Sequence, residues 1–266
     1  MGKTRTEPTS SPLPTQLVEQ LRELRLPAFR DHYQAQAERA AKEQWSYLQY
    51  LEALTSREIE TRTQGRIQRL AKASRLPAGK SWDNFQWPRV PKIAMQQMQS
   101  LRDGSFLDRR ENVLVFGKPG SGKTHALCAL GEQLVLQGHS VYFASCSLLV
   151  QDLLVAKRDL KLEKLVKRLA AFEALIIDDL GYVQQSREEM EVLFTLLAER
   201  YESGSVLLTS NLPFSQWTQI FKDPMTTAAA IDRLVHHSVI VELNVASYRL
   251  ETAKSARTSK DNAPNV

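Results

Sequence analysis

Gly117-Lys118-Pro119-Gly120-Ser121-Gly122-Lys123-Thr124 satisfies G-x-x-x-x-G-K-[ST] at every fixed position, and no other feature of the chain restricts its fold as tightly. The run before it, Asn112–Phe116, is short, apolar and rich in valine, whereas residues 124–136 carry apolar side chains at helical spacing. The glycines therefore sit at a strand-to-helix turn, the setting in which such a loop wraps phosphate. Glycine lets backbone N–H groups face an anion, and the helix N-terminus adds a favourable dipole. Lys123 is placed to reach the β- and γ-phosphates of a nucleoside triphosphate, and the Thr124 hydroxyl to ligate Mg²⁺.

A length of 266 residues with 42% hydrophobic content accommodates one such domain and a smaller appendage. Apolar runs such as residues 174–177 and 206–208 are strand-length, far short of the roughly 18 residues that span a bilayer. The polar start, with Pro8, Pro12 and Pro14, lacks a secretory signal and reads as a disordered leader. Residues 1–6 fit the formal start of a myristoylation signal, but nothing else points to a membrane. Cys128 and Cys146 have neither metal-ligand nor redox spacing and read as small core residues in a reducing cytoplasm. The net charge of +5 permits nucleic-acid binding without establishing it.

The apolar pattern of residues 13–76 is helical, with Leu17, Leu21 and Leu24 and then Leu48, Leu51 and Leu54 at helical spacing. Arg62, Arg66 and Arg69 fall at i, i+4 and i+7 within it, which aligns cations on one helix face. Such a stripe is either a solvated face or a set of phosphate contacts on DNA. A linker holding Trp82, Phe85 and Trp87 follows; its aromatics are either packing residues or flank a base. Beyond the glycine loop, residues 140–145, 174–178, 206–210 and 239–243 read as further strands, and residues 148–172 as a long helical stretch. Strands alternating with helices predict an α/β fold, a parallel, doubly wound sheet of about five strands. The expected division is a leader over 1–12, an all-helical N-terminal domain over 13–78, the α/β domain over 79–250 and a disordered tail over 251–266.

Residues 176–181 deliver Asp178 and Asp179 to the carboxyl edge of the sheet, where ligands of such folds bind. Asp178 is expected to hold Mg²⁺, and Asp179 to orient or deprotonate an attacking water. Asn211, at the end of the next strand, either hydrogen-bonds the γ-phosphate or its water, or merely begins the turn into Leu212-Pro213. Arg233 lies in a helical run and is either paired locally or offered to a neighbouring subunit. His236 and His237 follow it; adjacent side chains on a helix diverge, and no acid or cysteine joins them at ligand spacing, so no metal site is expected. Lys157, Lys161, Lys164 and Arg168 recur at i, i+4, i+7 and i+11 and are expected to form one basic helix face that contacts DNA phosphates.

Together these residues resemble the IstB family of transposition helper ATPases, a branch of the AAA+ proteins near the bacterial helicase loaders. The resemblance runs through Trp82-Asp83-Asn84-Phe85, Gly117 to His125, Asp178-Asp179-Leu180-Gly181-Tyr182, Glu199-Arg200-Tyr201-Glu202, Thr209-Ser210-Asn211, Asp232-Arg233-Leu234-Val235-His236-His237 and Ser247-Tyr248-Arg249. It implies an AAA+ ATPase that uses ATP and Mg²⁺, oligomerises on double-stranded DNA, deforms it as a target and recruits or activates a cognate transposase. By the same resemblance the nucleotide contacts run from Gly117 through His125. Arg233 is similar to the trans-acting finger of AAA+ proteins, Asn211 to their first sensor, and Arg249 to a second. AAA+ ATPases usually carry Glu where Asp179 stands, and little sequence remains for a helical lid. The rivals are a helicase loader working on single-stranded DNA, a metabolic P-loop kinase and a DNA-binding protein with a dead site; no base-reading Asn-Lys-x-Asp motif supports a GTPase.

Overall fold

The computed structural model describes residues 15–181, 186–221 and 223–248, so the expected leader and tail, Tyr182 and Arg249 lie outside the described residues. Two compact units divide between Arg66 and Ile67. The first is built from α1 (Thr15–Glu23), α2 (Pro27–Lys42) and most of α3 (Tyr47–Ser74). Its helices form as the leucine spacing predicts, but among those leucines Leu24, Leu48 and Leu51 are exposed and only Leu21 and Leu54 are buried. A polar clamp joins them. Leu26 offers no side-chain cap to α2; Glu58, 4% exposed, accepts the N–H groups of Ala28 (2.8 Å) and Phe29 (3.4 Å) instead. A carboxylate at a helix N-terminus satisfies orphan donors and the helix dipole together. Arg62 completes the clamp, donating Nε to Glu58 (2.8 Å) and Nη2 to the Arg25 carbonyl (2.6 Å).

The second unit continues with α4 (Lys92–Ser100), α5 (Ser105–Asp108), β1 (Asn112–Phe116), α6 (Lys123–Leu136), β2 (Val141–Ser145), α7 (Cys146–Arg158) and α8 (Leu162–Ala170). Then come β3 (Ala174–Leu180), α9 (Arg187–Arg200), β4 (Ser205–Ser210), α10 (Thr218–Phe221), α11 (Pro224–Val235) and β5 (Ser238–Glu242). All strand pairs are parallel, in the order β2-β3-β4-β1-β5. Alternate residues of the strands feed two cores. Leu114, Leu175, Ile177, Val206 and Leu208 pack with α7, α8, α9 and α11. Val113, Val115, Ile176, Leu207 and Val241 pack with α4, α6 and Trp82. This is the doubly wound α/β architecture that the strand–helix alternation predicts. Cys128 and Cys146 are buried, and burial pushes the Cys128 thiol up to about 12.

The stretch 148–172 is two helices, not one. Leu160 adopts a left-handed φ of 57°; Lys161 N–H donates to the Ala156 carbonyl (2.7 Å) and Leu160 N–H to that of Lys157 (3.1 Å). That pair of bonds is a helix C-cap normally marked by glycine, so leucine at this position hides the stop. The predicted continuous basic face is therefore broken between Lys157 on α7 and Lys161, which precedes α8.

Arg200, 1% exposed, ties α9 to the end of α8. Its guanidinium donates to the carbonyls of Leu169 (3.0 Å), Phe172 (2.9 Å), Glu173 (3.2 Å) and Ser205 (2.8 Å). Burial lowers its pKa to about 10, and carbonyl dipoles rather than a carboxylate hold its charge. Arg200→Ala leaves these acceptors unpaired over a cavity and is expected to cost about 3 kcal/mol or more in urea denaturation; Arg200→Lys, which lacks the planar fork, recovers only part of it.

Candidate nucleotide site

The five parallel strands end at one edge, where Phe116 aligns with Ser210 and Glu242, and Ser145 with Asp178. The glycine loop leaves β1 there and enters α6. Gly120 (φ 80°) and Gly122 (φ 95°) are left-handed, and a Cβ would stand 2.1 Å from Ser247 Oγ and 2.9 Å from the Phe85 ring respectively, so the turn admits only glycine. Lys123, 5% exposed, donates Nζ to the carbonyls of Gly117 (2.9 Å) and Lys118 (3.2 Å), which holds the ammonium at the loop. Ser121 Oγ is buried without a hydrogen-bond partner, a donor suited to an oxyanion.

A cavity of about 640 Å³ opens on this loop and is lined by residues from Pro119 to His125, by Asp179 and by Asn211. Three elements distant in sequence thus meet at one place. Asp178 lies behind the wall, 6% exposed; its carboxylate accepts a hydrogen bond from Thr209 Oγ1 (2.7 Å), and the Thr124 side chain nearby also favours its ionised form. Burial, and next the neighbouring Asp179, raise its pKa, against the opposing pull of Thr209, Thr124 and Lys80. The pairing of Thr124 with Asp178 gives the hard-oxygen donor set that Mg²⁺ prefers.

Tyr248, from the Ser247-Tyr248-Arg249 segment, also lines the cavity, as do Lys80, Gln86 and Arg89, which the sequence did not single out. Arg89 sits 5.2 Å from the Tyr248 ring centroid, and Tyr248 N–H donates to the Gly120 carbonyl (3.0 Å), so the segment after β5 folds back over the loop. The linker aromatics divide their labour. Trp82 is buried against Trp87, with centroids 4.2 Å apart, whereas Phe85 lines the cavity and meets the His125 ring edge-on at 5.1 Å. The His125 Nε2 lies 3.1 Å from the Ser81 carbonyl oxygen, which pins the linker to α6.

Arg233 is elsewhere. Its Nη1 donates to the Ala229 carbonyl (2.9 Å) and its guanidinium stacks 4.9 Å from the Phe194 ring centroid. It lines a separate cavity of about 260 Å³ with Arg109, Arg110 and Asn112. Asn112 Nδ2 donates to the Leu234 carbonyl (3.0 Å), which fixes Arg233 beside the first residue of β1. The glycine loop follows its last, so at roughly 3.3 Å per residue about 16 Å separates the two. The helix ends at Val235, and the His236 and His237 rings meet at 4.1 Å instead of diverging as helical neighbours do. The Tyr201 hydroxyl lies 3.2 Å from His236 Nδ1.

The predicted basic residues do not act as two uniform faces. Lys157 Nζ lies 3.4 Å from Glu188 and 3.7 Å from Glu191 on α9, while Lys161, Lys164 and Arg168 are exposed. Arg62, Arg66 and Arg69 are exposed along α3, and Arg62 serves the Glu58 clamp.

A glycine loop on a five-stranded parallel sheet, with acids on the third strand and Asn211 just past the end of the fourth, defines a P-loop ATP-binding domain of AAA+ build. Solved structures share the fold: DnaA from Aquifex aeolicus bound to AMPPCP, with a TM-score of 0.56 at 15% identity over 70% of this chain and 57% of that one. DnaI superimposes with a TM-score of 0.54 at 18% identity, over 64% of this chain and 95% of its own. The IstB-like ATP-binding protein family model matches residues 19–256, and the chain belongs to that family. An insertion-sequence ATP-binding protein of Sinorhizobium fredii is 41% identical over 89% of this chain and 80% of its own. Among the described residues no helix is long and apolar enough to cross a membrane.

Proposed function

We propose that this insertion-sequence ATP-binding protein is a DNA-stimulated ATPase whose nucleotide site is completed by a second copy of the chain. The placement of Arg233 carries the reading: it stands at the amino edge of β1, too far from its own glycine loop to touch the same triphosphate. Lys123 and the loop N–H groups bind the phosphates, Thr124 and Asp178 hold Mg²⁺, and Asp179 takes a proton from the attacking water. Bound Mg²⁺ supplies charge neutralisation on the phosphate oxygens. Asn211 orients the water or the γ-phosphate, and Arg233 of a neighbour stabilises the transferring phosphoryl group. ATP thereby joins subunits, the oligomer grips duplex DNA for presentation to a cognate transposase, and hydrolysis releases it. Lys161, Lys164 and Arg168, and on α3 Arg66 and Arg69, are exposed cations offered to DNA phosphates; Lys157 also meets Glu188 and Glu191, and Arg62 also holds Glu58. The division into a helical domain and an ATPase domain near residue 79 belongs to the same reading.

Turnover and light scattering measured with long duplex, with single strands and without DNA test it. Duplex is expected to stimulate both hydrolysis and ATP-dependent assembly. Stimulation by single strands alone would replace target presentation with helicase loading as the role of this domain.

A further inference from the structure

Strand β3 gains one residue at its carboxyl end. Leu175 and Ile177 face one core, and regular alternation would send Asp179 to that side, yet Leu180 occupies it. The register shifts between Ile177 and Leu180, so that Ile177 pairs with Leu208 and Leu180 with Ser210. Two residues, Asp178 and Asp179, therefore stand opposite one, Thr209, which is a β-bulge. Asp179 takes up the extra length in a left-handed conformation, φ 62°. Aspartate tolerates that region better than glutamate, whose longer side chain has no local hydrogen bond to offer in return. The bulge turns Asp179 out of the sheet, exposed into the nucleotide cavity, while Asp178 stays buried behind it.

Thr209 spans the break. It is fully buried, its Oγ1 donates to Asp178 Oδ1 (2.7 Å), and the same oxygen accepts the Asp179 N–H (2.7 Å). One hydroxyl thus aims the first carboxylate and replaces the ladder bond that the second residue lost.

We infer that Thr209 is a positioning residue for hydrolysis: its hydroxyl orients Asp178 toward a divalent cation and fixes the left-handed turn that presents Asp179 to the attacking water. This rests on the reading of Asp178 and Thr124 as cation ligands. The side chain is fully buried and does not line the nucleotide cavity, so it acts through both acids. Thr209 lies on β4 two residues before Asn211, which immediately follows the strand, so the strand that leads into the candidate phosphate sensor also carries the clamp on the acids.

The test is a Mg²⁺ titration of mant-ATP binding to the full chain, with turnover measured beside it. Thr209→Val keeps the shape and removes the hydroxyl; it is expected to raise the half-saturating Mg²⁺ concentration by roughly 10- to 100-fold, the usual cost of losing a partner that orients a metal ligand. Mant-ATP affinity without Mg²⁺ is expected to stay at the wild-type value, kcat to fall with little change in KM, and Thr209→Ser to restore both. Should the valine variant not fold, Thr209→Ala carries the same comparison. An unshifted Mg²⁺ midpoint overturns the inference, as does a serine variant as impaired as valine, or a loss of Mg²⁺-free affinity equal to the loss with Mg²⁺. A wild-type protein whose mant-ATP binding ignores Mg²⁺ overturns the reading of the site and this inference with it; a Mg²⁺-dependent wild type with an indifferent Thr209→Val overturns the inference alone.

Discussion

Arg233→Ala is expected to leave ATP affinity at the wild-type value and to reduce DNA-stimulated turnover by about 10³-fold or more, the scale on which an arginine supplied to a transferring phosphoryl group acts. The two effects separate because Arg233 lines a different cavity from Lys123 and Asp179. Within its own chain the guanidinium contacts an Ala229 carbonyl and the Phe194 face, neither of which holds a phosphate. A trans role also predicts complementation. Subunits carrying Arg233→Ala have an intact loop but no donor for a neighbour; subunits carrying Lys123→Ala have the donor but no loop. Mixing the two is expected to recover part of the turnover that each lacks alone. A mixture as inactive as its components, or an Arg233→Ala monomer with weakened ATP binding, would place the arginine in its own site or in the fold.

Much of this was legible in the sequence because it depends on short local rules. The five strands fall within a residue or two of their expected places, since each is an apolar run bounded by polar turns, and the glycine loop announces its own backbone. Asp178 and Asp179 were expected at the carboxyl edge and are there, but their unequal burial was not legible: it follows from a bulge, and neither residue is a glycine that would have marked a left-handed turn. Leu160 hid the end of α7 in the same way. The basic face failed as a pattern because helical periodicity assumes an unbroken helix, and Glu188 and Glu191, which meet Lys157, are distant in sequence. Lys80, Gln86 and Arg89 enter the cavity from segments without a motif, which only the folded chain brings together. The burial of Arg200 was not legible either, because it depends on carbonyls freed at the end of another helix.

Lys123→Ala is the complementary case, and its expected effect lies on binding. The ammonium is held by the Gly117 and Lys118 carbonyls at the base of the loop, so it is positioned before any phosphate arrives. Its loss removes charge-assisted hydrogen bonds, each worth about 1.5–3 kcal/mol, and is expected to weaken ATP binding by roughly 10- to 100-fold. Because ATP is proposed to join subunits, the same change is expected to abolish ATP-dependent oligomers on duplex DNA, read as mass by size-exclusion light scattering. Arg233→Ala subunits, whose ATP binding is intact, are expected to keep some of that assembly while losing turnover. The contrast decides what the nucleotide does: if assembly follows occupancy of the loop and survives the loss of hydrolysis, binding builds the oligomer and hydrolysis limits its lifetime. If Lys123→Ala assembles on DNA as the wild type does, the glycine loop is not the switch, whatever its affinity for ATP.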